Sequence, residues 1–329
     1  MNKNIDIDTI KRRAAKLSKP IIIITPLNRY LGFSAPVSPS EQFKELAVLW
    51  NVPLEIYDPQ KLFIKSHPKN KIEVYSDRGL LEGSVFFGFG HDPLDRQMVR
   101  YIITALEKAG EKVINGEKAL TYSDDKALMA IALANSELPI PNSVICGARA
   151  ATDQILNNLG IKETDDKIIF EKPTGFSAGG IGVKPLPARS EYILPAIWSS
   201  RADNKPRVLQ NDAYKTSIEI PRKVIRAYII GGKLIGAYIT SAKGFVNCVG
   251  LSKELYEAYE YIPTIEQEKY FITAAKVVGA LGYCRIDASG GENFEILEIN
   301  PLARIDAEKY NIDVKAHLLK HAIDVASQK

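Results

Sequence analysis

Near its end the chain reads YCRIDASGGENFEILEINPLARID, from Tyr283 to Asp306, and this stretch limits the possible folds more than any other. Tyr283 to Asp287 is a β-prone run, Ala288 to Asn293 is a glycine-containing polar turn, and Phe294 to Asn300 is a second β-prone run. The pattern predicts a hairpin. Strand side chains alternate between faces, so Ile296, Glu298 and Asn300 are expected on one face and Glu295, Leu297 and Ile299 on the other. On the first strand Arg285 and Asp287 share a face. Paired in register, Asp287 meets Glu298 and Asn300 across the hairpin, which gathers two carboxylates and an amide oxygen. Such an all-oxygen set suits a hard cation, and magnesium, which keeps waters and substrate phosphates in its shell, needs only one or two protein carboxylates. The competing reading is a partly buried hairpin whose acids merely reach water, and an isolated E-x-N does not separate the two.

A second stretch, KIIFEKPTGFSAGGIGVK from Lys167 to Lys184, adds complementary chemistry. The β-run Ile168 to Phe170 leads to Lys172, and a loop with Gly175, Ser177, Gly179 and Gly180 precedes a second apolar run from Ile181. Glycine takes positive φ without steric cost, so N–H groups in such a loop can turn toward an anion, with Lys172 as a point charge beside them. The pattern is neither the Walker G-x-x-x-x-G-K-[ST] nor the dinucleotide G-x-G-x-x-G. A glycine-rich hairpin tip without a ligand is the plain alternative.

Taken in order, the two stretches resemble the landmarks of the ATP-grasp ligases: a strand lysine with a glycine-rich lid, a strand that reads adenine, then R-x-D and E-x-N on a hairpin. The resemblance runs from Val113 to Ala326. VINGEKALTYSDDKALMAIALANSELPIP, from Val113 to Pro141, is similar to the segment that supplies an ATP-contacting lysine in the ribosomal-protein glutamate ligases (RimK-like), here Lys126. Arg285, two residues before Asp287, is more like the D-alanine:D-alanine ligases, so the subfamily stays open between the two. The resemblance implies an α/β (α+β) architecture, with an N-terminal parallel α/β domain and two α+β subdomains clamping ATP. The implied boundaries are a helical arm at 1–19, an α/β domain at 20–115, a central subdomain with the lid at 116–210, and a C-terminal subdomain with the metal site at 211–329.

What the resemblance implies chemically is an ATP-dependent ligase. ATP phosphorylates a carboxylate, and an amine attacks the acyl phosphate to give an amide, ADP and phosphate. Asp287, Glu298 and Asn300 would hold one or two Mg2+ ions, with Mn2+ as a substitute. Lys126 and Lys172 would neutralise phosphates under a lid of Gly175, Ser177, Gly179 and Gly180, and Arg285 would stabilise the transferred phosphoryl group. Gln210 and Asn211, in the strand RVLQN, fall where relatives carry Gln-Glu to read adenine. Arg226 matches a hairpin arginine of RimK-like ligases, Lys243 and Asn247 lie in a loop that holds phosphate and substrate, and Arg304 is placed for a substrate carboxylate. The implied partners are a small-molecule carboxylate and amine, one an amino acid, or else a peptide, in a homodimer or homotetramer. A D-alanine-type dipeptide ligase and a natural-product peptide ligase are alternatives within the class. An ATP-binding regulatory module is the non-enzyme alternative, and the set Lys172, Arg285, Asp287, Glu298 and Asn300 argues against it.

Composition agrees with a multi-domain globular protein. The chain has 329 residues, 46% hydrophobic and 25% charged, enough to bury a large core. Its net charge of +4 is small and its basic residues are interspersed with acids, so nucleic acid is not indicated as a partner. The three cysteines, Cys146, Cys248 and Cys284, have no metal-binding spacing, and with no secretory signal they are expected as reduced thiols in a cytoplasmic protein. Cys284 is expected to be a buried small residue on the strand face opposite Arg285. No apolar run approaches the ~20 residues of a membrane span, so no membrane partner is expected.

The remaining segments read as follows. Residues 1–19 form a basic amphipathic helix, packed or frayed. Strands are expected at Ile21 to Thr25, Asn51 to Tyr57, Lys71 to Tyr75 and Ser84 to Phe87, alternating with helices in a parallel sheet, with Ser40 capping the helix Glu41 to Trp50. Ligands gather beyond the carboxyl ends of such strands, which brings Arg29, His91 and Arg96 forward as carboxylate contacts. Thr121 or Ser123 is expected to cap the helix that carries Lys126. Arg222 to Ile239 predicts a hairpin about Gly231-Gly232, and helices are expected over Thr264 to Gly282 and Asn311 to Ser327.

Overall fold

The computed structural model describes residues 5–26, 39–68, 71–90, 93–175, 183–202, 205–213, 222–242, 255–290, 293–303, 305 and 307–328. The N-terminal part comprises α1 (Ile7–Ala14), β1 (Ile21–Ile24), α2 (Pro39–Trp50), β2 (Leu54–Tyr57), β3 (Phe63–His67), β4 (Lys71–Ser76), β5 (Gly79–Leu80), β6 (Val85–Gly88) and α3 (Pro93–Lys108). β1 runs parallel between β2 and β6. Its four isoleucines are all buried: Ile21 and Ile23 pack with Phe43, Ala47 and Trp50 of α2, Ile22 and Ile24 with Val99, Ile102 and Ile103 of α3. A period of two thus divides one apolar run between two cores, as a parallel strand covered on both faces requires.

Two expectations for this part are corrected. β4 does not join the parallel sheet but pairs antiparallel with β3 and β5 in a separate sheet. Its alternation explains this: Val74 is buried while Lys71 is exposed, the signature of a sheet with one solvated face. Helix α2 starts at Pro39, so Ser40 lies inside its first turn rather than capping it. The basic N-terminal helix is packed, with Ile10 and Ala14 buried and Arg13 paired to Asp324 at 2.5 Å.

α4 (Glu117–Asp124) and α5 (Lys126–Ala134) come next. Asp125 caps α5, its carboxylate accepting from the amides of Ala127 and Leu128 at 2.9 and 3.1 Å. Thr121 and Ser123 instead lie within α4, which corrects the cap expected there. β7 (Ser143–Cys146), α6 (Thr152–Asn158), β8 (Ile168–Pro173), β9 (Lys184–Pro187), α7 (Ser190–Ala202) and β10 (Arg207–Asn211) form an antiparallel sheet in the order β7-β10-β8-β9. Helices α6 and α7 cover one face through Ile155, Leu156, Ile193 and Ile197, against Ile169 and Leu209.

β11 (Arg222–Ile230), β12 (Lys233–Ala242), β13 (Leu255–Tyr261), α8 (Ile265–Val277), β14 (Tyr283–Ser289), β15 (Ile296–Asn300) and α9 (Val314–Ala326) complete the chain. The strands make an antiparallel sheet in the order β13-β12-β11-β14-β15. Gly231 and Gly232, at φ 58° and 73°, make the tight β11–β12 turn, a conformation that a side chain would strain. One sheet face, with Ile225, Ala227, Ile229, Cys284, Ile286 and Ile299, packs on Phe271, Ala274 and Ala275 of α8. On the other face Tyr228, Ile230, Tyr238 and Tyr283 share a core with α9, α2 and β1. Asn115, at φ 59°, ties the two parts together: its side-chain amide donates to the Tyr283 carbonyl, and its Oδ1 accepts from the Tyr283 amide at 3.2 Å. Among the described residues no helix is long and apolar enough to cross a membrane.

Candidate active site

The charged residues collect on the sheet face opposite α8. β14 and β15 pair so that Asp287 opposes Glu298 and Arg285 opposes Asn300. β11 extends the rows, with Arg226 opposite Asp287 and Tyr228 opposite Arg285. Arg226, Asp287 and Glu298 therefore lie side by side across three strands. The expected alternation along β15 is corrected at one point. Ala288 pairs with Ile296, which leaves Leu297 as an extra residue in a β-bulge and turns Ile296 into the apolar core. The bulge re-aims the strand, and the face that carries Glu298 and Asn300 ends there.

Both carboxylates already meet cations. Arg285 grips Asp287 with two hydrogen bonds, Nε to Oδ1 at 2.8 Å and an η nitrogen to Oδ2 at 3.0 Å. Lys126 donates to Glu298. The lysine is placed for this as the first residue of α5, whose start Asp125 fixes. Glu298 keeps 33% of its side chain at the surface. Burial favours its neutral form, but Lys126, then Lys172 and Arg285, outweigh that and hold its carboxyl at about 2. Burial opposes the charge of Arg285 too, and Asp287 overcomes it, raising the guanidinium well above its usual range. Cys284, next to Arg285 in sequence, points the other way into the core, where burial pushes its thiol far up.

Across from the hairpin, α5, β7, β8, β10 and β15 enclose a narrow cleft lined by Met129, Leu133, Ile140, Val208, Ile296 and Leu297, with Lys126 and Lys172 also on its wall. Lys172 donates to Gln210 Oε1, Gln210 Nε2 donates to Ser143 Oγ at 2.9 Å, and Ser143 donates to the Pro141 carbonyl at 3.0 Å. The direction of this relay is forced. Because the serine proton is committed to Pro141, Gln210 must turn its NH2 to Ser143 and its oxygen to Lys172. Burial, aided by the neighbouring Lys126, lowers Lys172 to about 8, with Glu298 opposing the fall. Asn211 is corrected as a group facing the cleft: its Nδ2 donates to the Leu159 carbonyl at 2.9 Å, on the α6 side of the sheet. The alternation of β10 causes this, since Val208 and Gln210 line the cleft and Leu209 and Asn211 point away.

Gly175 has φ 79° with open space where a side chain would lie, consistent with a turn leaving β8. Ser177, Gly179, Gly180, Lys243, Asn247, Arg304, His91, Arg29 and Cys248 lie outside the described residues. Arg96, read as a carboxylate contact, is instead buried against Asp124 and Ser123. The apolar cleft walls and Ser143 were missed by sequence reasoning. Nothing in the sequence marks them, because apolar residues that line a cleft have the same spacing as those that fill a core.

Among the described residues no group of three or more His, Cys, Asp or Glu could hold a metal ion. The donors present are the carboxylates of Asp287 and Glu298 and the amide of Asn300, on one face of one hairpin. This small all-oxygen set fits magnesium bound jointly with substrate phosphates and does not fit a metal that needs a full protein cage.

No protein-family model matches the sequence, and no curated protein matches it. Solved structures do. The ATP-grasp ligase PsnB, complexed with a phosphomimetic variant of minimal precursor, Mg and ADP, is similar over 94% of this chain and 99% of its own, with a TM-score of 0.65 and 15% identity. The chain has the ATP-grasp fold. The same fold is shared with a RimK domain protein from Sphaerobacter thermophilus, over 92% of this chain and 99% of that one, at a TM-score of 0.60 and 13% identity. It is shared as well with the D-cycloserine synthetase DcsG, over 93% and 99%, at a TM-score of 0.64 and 12% identity. Within this ATP-grasp fold the cleft lies between two antiparallel sheets, with Lys172 on one and Glu298 on the other.

Proposed function

We propose that this protein is an ATP-dependent ligase that joins a carboxylate to an amine through an acyl phosphate, with an amino acid or a peptide as one substrate. The observation that carries the reading is that Lys126 and Lys172 share the wall of one apolar cleft and Lys126 donates to Glu298, whose strand partner Asp287 is gripped by Arg285. The cleft takes the base of ATP against Met129, Leu133, Ile140 and Val208, with Gln210 as the polar group on its wall. Lys126 and Lys172 then meet the phosphates, exchanging Glu298 and Gln210 for phosphoryl oxygens. A substrate carboxylate oxygen attacks the γ-phosphorus, and the bond to ADP breaks. The amine nitrogen next attacks the acyl carbon, loses a proton, and phosphate leaves. Arg285, held by Asp287, which Arg226 opposes on the next strand, stabilises the charge that builds on the phosphoryl oxygens and the tetrahedral carbon. Asp287, Glu298 and Asn300 would hold magnesium, which supplies charge neutralisation at the phosphates when bound. On the resemblance, Gly175, Ser177, Gly179 and Gly180 would serve as the lid that keeps water from the acyl phosphate, Lys243 would meet the nucleotide phosphates, and Asn247, Arg304 and His91 would meet substrate.

The segment Val113 to Pro141 and the likeness to PsnB, which is complexed with its precursor, support a RimK-like ligase acting on an amino acid or peptide. The bidentate Arg285–Asp287 pair supports a second reading, a D-alanine-type dipeptide ligase. The deciding experiment is release of ADP and phosphate from Mg-ATP across single amino acids, pairs and short peptides, with Glu298→Gln as control. Release that requires one acceptor pair and is lost in the control supports the ligase. Nucleotide binding without acceptor-dependent release from any of these refutes it.

A further inference from the structure

Three consecutive residues at the α4–α5 junction are each fixed to a different part of the molecule. Asp124 is 1% exposed and accepts from Arg96 Nε at 3.2 Å, and Arg96, itself 4% exposed, also donates to Ser123 Oγ at 2.7 Å. Asp125 caps α5. Lys126 donates to Glu298 on β15. Arg96 stands in the first turns of α3, at the carboxyl edge of the parallel sheet, and the loop after β6 is pressed onto it. A Cβ at Gly90 would lie 2.8 Å from the Arg96 N and Cα atoms, so the Gly90 backbone packs directly on the turn of α3 that carries Arg96. The second carboxylate oxygen of Asp124 has no hydrogen-bond partner, and Arg100 stands 4.0 Å from it. Such a buried, part-satisfied pair stores energy in its geometry: the carboxylate stays ionised only while the guanidinium fork faces it.

We propose that Arg96 and Asp124 are positioning residues for Lys126, a buried clamp through which the start of α3 sets where the nucleotide lysine stands. The physical reason is lever length. Between Asp124 and Lys126 there is one residue, and Asp125 is held by the amides of α5, so a shift of Asp124 passes to the start of that helix. Loss of the fork releases the end of α4, and Lys126 moves off the phosphate position while the cleft walls remain. The inference rests on the ligase reading only in assigning a nucleotide phosphate to Lys126.

The test is a double-mutant cycle on Mg-ADP affinity, measured calorimetrically in the full chain for Asp124→Asn, Lys126→Ala and the pair. Asp124→Asn should weaken Mg-ADP about tenfold in the parent and leave affinity unchanged in the Lys126→Ala background, since a clamp has nothing to position once the ammonium is gone. Arg96→Lys should behave like Asp124→Asn, because it keeps the charge but loses the fork. Ser123→Ala, which removes one hydrogen bond and keeps the ion pair, should weaken binding about threefold by the same route and serves if the charged-site variants do not fold. Equal losses in both backgrounds, or unchanged affinity with only a lower melting temperature, would overturn the proposal and leave the ligase reading standing. Unchanged affinity in Lys126→Ala alone would overturn both the clamp and the assignment of a nucleotide phosphate to Lys126.

Discussion

Lys172 should make nucleotide binding depend on pH in a range where few groups titrate. Its ammonium stands at about 8 instead of the ordinary 10.5, chiefly because burial disfavours the charge. The facing groups are Glu298, which opposes the shift, and Lys126, which adds to it. The lysine is therefore about nine-tenths charged at pH 7 and about one-tenth charged at pH 9. A polyphosphate binds the charged form and raises its pKa in the complex, so affinity is nearly full below about pH 7 and falls as pH rises through about 8. Between pH 7 and 9 the dissociation constant for Mg-ADP should increase about tenfold, or ~1.4 kcal/mol. Calorimetry in buffers of different ionisation enthalpy should show proton uptake on binding near pH 8.5. Lys172→Arg, which stays charged throughout, should abolish both the slope and the uptake. Affinity that is flat from pH 7 to 9 in the parent protein would refute the reasoning, since it would mean either that the amine does not meet the phosphate or that its charge is not suppressed.

Other outcomes follow from the same geometry. Glu298→Gln should keep the fold and remove most ligase turnover, because one of two metal-binding carboxylates loses its charge with little change of shape; full turnover would exclude the metal assignment. In the parent, Glu298 contributes stability that is complete above its ordinary 4.5 and lost as pH falls through about 2, so Glu298→Gln should flatten the acid limb of a pH–stability curve. Asn115→Ala leaves the Tyr283 amide and carbonyl buried without their partner and should cost about 1–3 kcal/mol in urea denaturation; a loss below a few tenths would show that the tie is ornamental. Cys284, wholly buried with its thiol pushed up, should resist alkylation in the native protein and react only on unfolding, as peptide mass mapping would reveal.

The sequence by itself determined what depends on neighbours a few residues apart. Period-two alternation located the R-x-D and E-x-N strands, Gly231-Gly232 marked a turn that needs positive φ, and the run Ile21 to Thr25 announced a strand of a parallel sheet. Glycines around Lys172 and acids on the hairpin could be singled out as candidates for phosphate and cation chemistry for the same reason: each motif lies within a single loop or strand. Tertiary structure decided everything that joins distant segments. It brought Lys126 onto Glu298, built the relay from Lys172 through Gln210 to Ser143, and turned Asn211 to the helix side while Gln210 faced the cleft. It also placed Lys71 to Ser76 in a separate sheet, bulged β15 at Leu297, and took Arg96 from the expected substrate site into a clamp with Asp124. None of these had a local signal, because strand order, bulges and side-chain partners are chosen by which surfaces bury one another, and that free energy belongs to the packed chain rather than to any stretch of it.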